Sequence, residues 1–177
     1  MDERTEHILT ILEQDGRQLH LLLARLTLRE DAADDLMQEL FIRLRRSDNL
    51  FTATNPRAYV KRAAIHLAFD WRRHWQRRID VQQLPLESAA NAVSLLDTLV
   101  GREEVEEILA ALEHIPEVYR DCLLLRYLQQ EEYDAIGKQI GKTPHQVRAI
   151  CHKAIARIRK LLDVTTAGKQ GEIHDSR

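Results

Sequence analysis

A chain of 177 residues that is 44% hydrophobic and 31% charged has room for one large or two small domains and the make-up of a soluble globular protein. Its formal net charge of −2 means that any surface able to meet phosphate has to be assembled by gathering positive charge in one place. No apolar run reaches membrane-spanning length, the start MDERTEHILTILEQDGR is not a secretory signal, and Cys122 and Cys151 stand alone, which together point to a cytoplasmic, reducing setting.

Six Gly, four Pro and 5% aromatic residues, in a chain dominated by Leu, Ala, Arg and Glu, favour helix throughout. Ile8, Ile11, Leu12, Leu19, Leu22, Leu23 and Leu26 recur at helical spacing, with a break expected at Asp15-Gly16. Asp31 is the expected cap of a second helix whose narrow stripe is Ala33, Leu36, Met37, Leu40, Phe41 and Leu44. SDNLFTATNP, residues 47–56, reads as a loop, and Pro56 opens a third helix running to about Arg78. Val60, Ala63, Ala64, Leu67, Ala68, Trp71 and Trp75 form its inner face. Residues 80–99 lose the period and read as a linker. Val105, Ile108, Leu109, Leu112 and Ile115 then mark a helix stopped by Pro116, and Val118, Cys122, Leu125 and Leu128 mark the next. Residues 165–177 are polar and expected to be disordered.

The segment Tyr133–Lys160 carries the clearest local signal. Ile136 and Ile140 share a face, and Gly137 between them permits close approach of another element. Gly141 suits a left-handed helix end, Thr143 is a good N-cap, and Pro144 fits the first helical position. Val147, Ile150, Cys151, Ala154, Ile158 and Leu161 form the buried stripe. His145, Gln146, Arg148, Ala149, His152 and Lys153 are left facing outward. Between Ala135 and Leu162 there are seven Lys or Arg and no acidic residue. A helix-turn-helix presents such a face to the major groove; a solvated basic hairpin is the plainer alternative.

Two further charged elements stand out. The helix 57–78 also carries seven Lys or Arg, and opposite its inner face lie Arg62, Ile65, His66, Phe69, Arg73 and Arg77. An exposed aromatic on a basic face suits stacking on an unpaired base, whereas Ile65 and Phe69 packed against the N-terminal helix would be structural. In DAADDLMQE, Asp34, Asp35, Gln38 and Glu39 lie off the apolar stripe, either as a solvated face near a helix N-terminus or as a docking surface for a basic protein. There is no H-E-x-x-H, no C-x-x-C, no glycine-rich phosphate loop and no G-x-S-x-G, so neither an enzyme nor a metal or cofactor site is expected.

The order DAADDLMQELFIRL, NPRAYVKRAAIHLAFDWRRHWQRR, ILAALEHIPEVYRDCLLLRYL, YDAIGKQIGKTPHQVRAICHKAIARIRKLL resembles a bacterial RNA polymerase sigma factor of the extracytoplasmic-function group, which keeps only regions 2 and 4. The resemblance covers about residues 19–78 and 105–162. It implies an all-α protein of two small helical domains: a region 2-like domain over 1–80, a flexible linker over 81–101, a region 4-like helix-turn-helix domain over 102–163 and a tail over 164–177. It implies binding to core RNA polymerase through Asp35, Gln38 and Glu39. It implies capture of −10 promoter DNA by the 47–56 loop with Tyr59, Arg62, His66, Phe69 and Arg73. Reading of the −35 element falls to the helix beginning at Thr143, with His145, Gln146, Arg148, Ala149, His152 and Lys153. An anti-sigma factor is a further candidate partner. Three residues depart from the family pattern: His66 stands where Asn is usual, Tyr59 where Trp is common, and Lys142 where the turn has an apolar residue. The competing readings are a helix-turn-helix regulator that acts without polymerase and a helical protein-interaction adaptor.

Overall fold

Eight α-helices and one π-helical turn make up the regular structure of the computed structural model, which describes residues 3–79 and 101–172, apart from the side chains of 78–79 and 165–172. Among the described residues there is no strand. The chain divides into two units between Leu95 and Leu96. The expected linker falls almost wholly outside the described residues.

The first unit holds α1 (Glu3–Thr27), α2 (Glu30–Arg46), α3 (Asn49–Thr52) and α4 (Pro56–Ile79). Helices α1, α2 and α4 pack mutually around Ile8, Leu19, Leu22, Leu23, Leu40 and Leu44, all essentially inaccessible to water. Burial of side chains of this size stabilises the unit by about 1.5–3 kcal/mol each before conformational entropy is subtracted.

Helix α1 does not break at Asp15-Gly16. Asp15 faces inward and is gripped by both Nε and Nη2 of Arg57 at the start of α4, so a residue that punctuates the sequence is here a buried ion-pair partner. The reversal into α2 uses Leu28 at φ 58°, a left-handed conformation rare for leucine, held while its side chain is buried. Asp31 is not the cap of α2. Arg29 occupies that position, and Asp31 lies in the first turn, where it accepts a 2.9 Å bond from Arg29 Nε. The 47–56 loop contains the short helix α3, because Leu50 has a buried site to fill. Pro56 does open α4, with Asn55 Oδ1 accepting the Ala58 N–H at 3.1 Å.

The second unit holds α5 (Arg102–Glu113), α6 (Glu117–Leu123), the π turn Leu124–Leu128, α7 (Tyr133–Ile140) and α8 (Pro144–Glu172). Helix α8 packs against α5, α6 and α7. The π turn, invisible to a 3.6-residue reading, ends the α6 rod with a wider turn. Helix α8 continues to Glu172, well into the segment expected to be disordered. Lys, Ala and Val are compatible with helix, and propagation from a formed helix costs less than nucleation.

Candidate promoter and polymerase interface

In the second unit the turn between α7 and α8 is built by three local devices. Gly141 adopts φ 68°, the left-handed end expected of it. A Cβ on Gly137 would meet the Lys142 carbonyl oxygen at 2.4 Å, and the Gly137 carbonyl accepts the Lys142 N–H at 2.9 Å. The close approach foreseen for Gly137 is therefore to the turn backbone. Thr143 caps α8, and the cap is reciprocal: Thr143 Oγ1 accepts the Gln146 N–H at 3.2 Å while Gln146 Oε1 accepts the Thr143 N–H at 2.9 Å. Sequence reading placed Gln146 among the DNA-facing residues and missed this tie, although Thr-x-x-Gln is its signature.

Val147, Cys151 and Ala154 are buried, and burial raises the Cys151 thiol pKa. Thr143, His145, Gln146, Arg148, Ala149, His152 and Lys153 are all exposed. Among the described residues, Arg148, Lys153, Arg157, Arg159 and Lys160 form no ion pair with a carboxylate. Arg148 instead lies over the Tyr133 ring, 5.6 Å from its centroid, and Arg157 over Tyr119 at 4.9 Å. The helix thus presents positive charge to solvent without internal neutralisation.

In the first unit the basic helix α4 is treated differently. Arg57 is bound to Asp15, and the guanidinium holds that carboxyl below its usual pKa. Arg72 is buried and donates to the Leu26 carbonyl at 3.4 Å, covering an acceptor in the last turn of α1. Arg73 is exposed and paired with Asp70. Phe69 and Ile65 are fully buried, which corrects the expectation of an exposed aromatic on this face. A ring and an aliphatic chain of that size lose too much in water to stay outside when cover is available. Tyr59, Arg62 and His66 are half-buried. The Tyr59 hydroxyl shares a 2.7 Å hydrogen bond with Ser47, tying the start of the 47–56 segment to α4.

On α2, Asp35 and Gln38 are exposed and, among the described residues, make no side-chain hydrogen bond or ion pair. Glu39 accepts a 2.9 Å bond from Arg43, which also reaches Asp70 at 3.5 Å. Asp34, one position before Asp35, is bonded to His20 of α1 at 2.9 Å. A cleft of about 380 Å³ opens beside Glu39 between α2 and α4, floored by Leu36, Leu67 and the stacked rings of Trp71 and Trp75, whose centroids are 5.2 Å apart. Acceptors and apolar surface side by side suit a protein partner with basic and apolar side chains.

Comparison with known proteins agrees with this division. Residues 11–78 match the model of sigma-70 region 2, and residues 105–160 match that of sigma-70 region 4. The chain is 25% identical over 170 residues to the ECF RNA polymerase sigma factor SigX of Bacillus subtilis, covering 93% of this chain and 86% of that one. It is also 25% identical over 158 residues to the ECF RNA polymerase sigma factor SigE of Mycolicibacterium smegmatis, covering 86% of this chain and 60% of that one. Among solved structures, the sigma factor RpoE of Bartonella quintana, in complex with the anti-sigma factor NepR, shares the fold with a TM-score of 0.50 and 18% identity, over 90% of this chain and 96% of that one. With regions 2 and 4 in order on two helical units, the chain belongs to the sigma-70 family of RNA polymerase sigma factors, in its extracytoplasmic-function group.

Proposed function

We propose that this sigma factor divides its work among three surfaces, and that it acts in the cytoplasm and forms no covalent bond itself. Core RNA polymerase docks on α2 through Asp35, Gln38 and Glu39. The −35 element is met by the outward face of α8, with Arg148 and Lys153 as its cations and His145, Ala149 and His152 beside them. Gln146 shapes that face as a cap and is a weaker candidate for base contact. The −10 element is met by the 47–56 segment and by Tyr59, Arg62, His66 and Arg73. Phe69, being buried, is withdrawn from the stacking role and left to hold α4 in place. Opening DNA means unstacking bases at a few kcal/mol per step, offset by capture of the flipped base. An anti-sigma partner fits the same reading, since the Bartonella quintana relative of this fold is complexed with one.

The observation that carries the reading is the coexistence of an exposed acidic face on α2 with the unneutralised cationic face of α8. A DNA-binding regulator acting alone has no use for the first. The test is co-purification with core polymerase. Wild type is expected to bind, and D35K combined with E39K to lose binding while keeping its helical content. Retention of the double variant at wild-type yield would defeat the docking assignment. At the −10 surface, H66N is expected to change which −10 variants are transcribed in vitro and to leave polymerase binding alone. A lower melting temperature with an unchanged promoter profile would mean that His66 only fills space.

A further inference from the structure

An arginine that reads DNA is a long side chain on an exposed helix face, and freezing its rotamers on binding weakens its contribution. Arg148 is not left loose. Its guanidinium lies 5.6 Å from the centroid of the Tyr133 ring, which projects from the first residue of α7. A second guanidinium, that of Arg126 in the π turn, lies 4.7 Å from the same centroid. Arg126 is itself tied down: it donates to the Glu131 carbonyl at 3.0 Å and sits 3.5 Å from the Glu132 carboxylate. The ring is half-buried, and guanidiniums from the π turn and from the recognition helix both lie within cation–π distance of it. Arginine, with its planar delocalised cation, is the side chain suited to such stacking.

We propose that Tyr133 is a positioning residue: its ring holds the Arg148 guanidinium in the orientation it uses on promoter DNA, with Arg126 and the π turn fixing the ring. The proposal rests on the reading of α8 as the −35 helix. It makes the aromatic ring, and not the phenol hydroxyl, the part of Tyr133 that matters to Arg148.

The test uses the full chain bound to core polymerase in competition binding against promoter duplexes that differ singly within the −35 element. R148A defines what Arg148 contributes, as a lost base preference or as a weaker salt dependence. Y133F keeps the ring and is expected to match wild type in that property. Y133L and Y133Q remove the ring and are expected to lose about two- to fivefold of it, in keeping with the modest strength of exposed cation–π contacts. In an R148A background, Y133F and Y133L are expected to bind all duplexes alike. Two non-aromatic replacements are used so that one that folds suffices, with the melting temperature as control.

Equal loss in Y133F and Y133L would overturn the proposal, because the hydroxyl would then be the active part. So would a Y133L effect that persists undiminished beside R148A. If R148A changes neither preference nor salt dependence, the reading of α8 fails first and the proposal goes with it.

Discussion

Helices α4 and α8 carry similar runs of positive charge, and the structure uses them in different ways. On α4 the charges are drawn inward and sideways: Arg57 to Asp15, Arg72 to the end of α1, Arg73 to Asp70. On α8 Arg148, Lys153, Arg157, Arg159 and Lys160 face water, and Arg148 and Arg157 lean on tyrosine rings. The first pattern braces a three-helix core; the second leaves a surface available to phosphate. A run of Lys and Arg in a sequence therefore says that charge is present, but the carboxylates and carbonyls packed nearby decide whether that charge remains free for a ligand.

The contrast breaks most sharply at the turn that presents α8. G137A is expected to destabilise the second unit by about 2–3 kcal/mol, since its new methyl group collides with fixed backbone and not with a flexible side chain. Thermal melting together with −35 binding checks this; a variant that melts like wild type would mean that the turn can relax.

Next comes the pairing of one cation from each helix. R72A removes a buried side chain and a donor to Leu26, and should cost about 2–3 kcal/mol of stability. R148A should leave stability within about 0.5 kcal/mol and act on DNA instead. If it reads a base, discrimination at one position falls by about 1–3 kcal/mol. Urea melts and promoter competition on the two variants give a crossed result if the contrast is right, and parallel results if it is wrong.

For the phosphate contribution of α8, K153A should weaken all duplexes alike and reduce the salt slope by about one. No change in slope would move the DNA surface elsewhere.

The smallest effect concerns Asp15. Its side chain is 4% exposed and that of its partner Arg57 is 56% exposed, so water can replace part of the pair and D15N should cost about 1 kcal/mol near neutral pH. The pair's sign follows from a carboxyl pKa held below the ordinary aspartate value, chiefly by the hydrogen bonds from Arg57. Such a group stabilises the fold above its unfolded pKa, and that contribution is lost as pH falls through the folded value. Wild type should therefore lose its advantage over D15N below about pH 4, as chemical melts at several pH values would show. A constant gap down to pH 2 would exclude the pair as the cause.

What could be read from the chain alone was what neighbours in sequence decide. Gly137, Gly141, Thr143 and Pro144 each meet a demand set within a few residues, and the stripe through Val147, Cys151 and Ala154 follows from helical period. The order of the region 2 and region 4 segments was legible for the same reason, since it lies along the chain. Other features had distant causes. Asp15 looked like a helix breaker because its partner is 42 residues away. Ile65 and Phe69 looked available because nothing in the local pattern shows burial on a face the period assigns to solvent. The π turn and the ring it fixes escaped because a 3.6-residue template has no place for an inserted residue. Periodicity and caps are short-range consequences of backbone geometry, so the sequence by itself determined the helices and their turn. Which charges are structural and which are offered to a partner depends on low-dielectric burial and on groups brought together from far along the chain, and only the tertiary structure decided that.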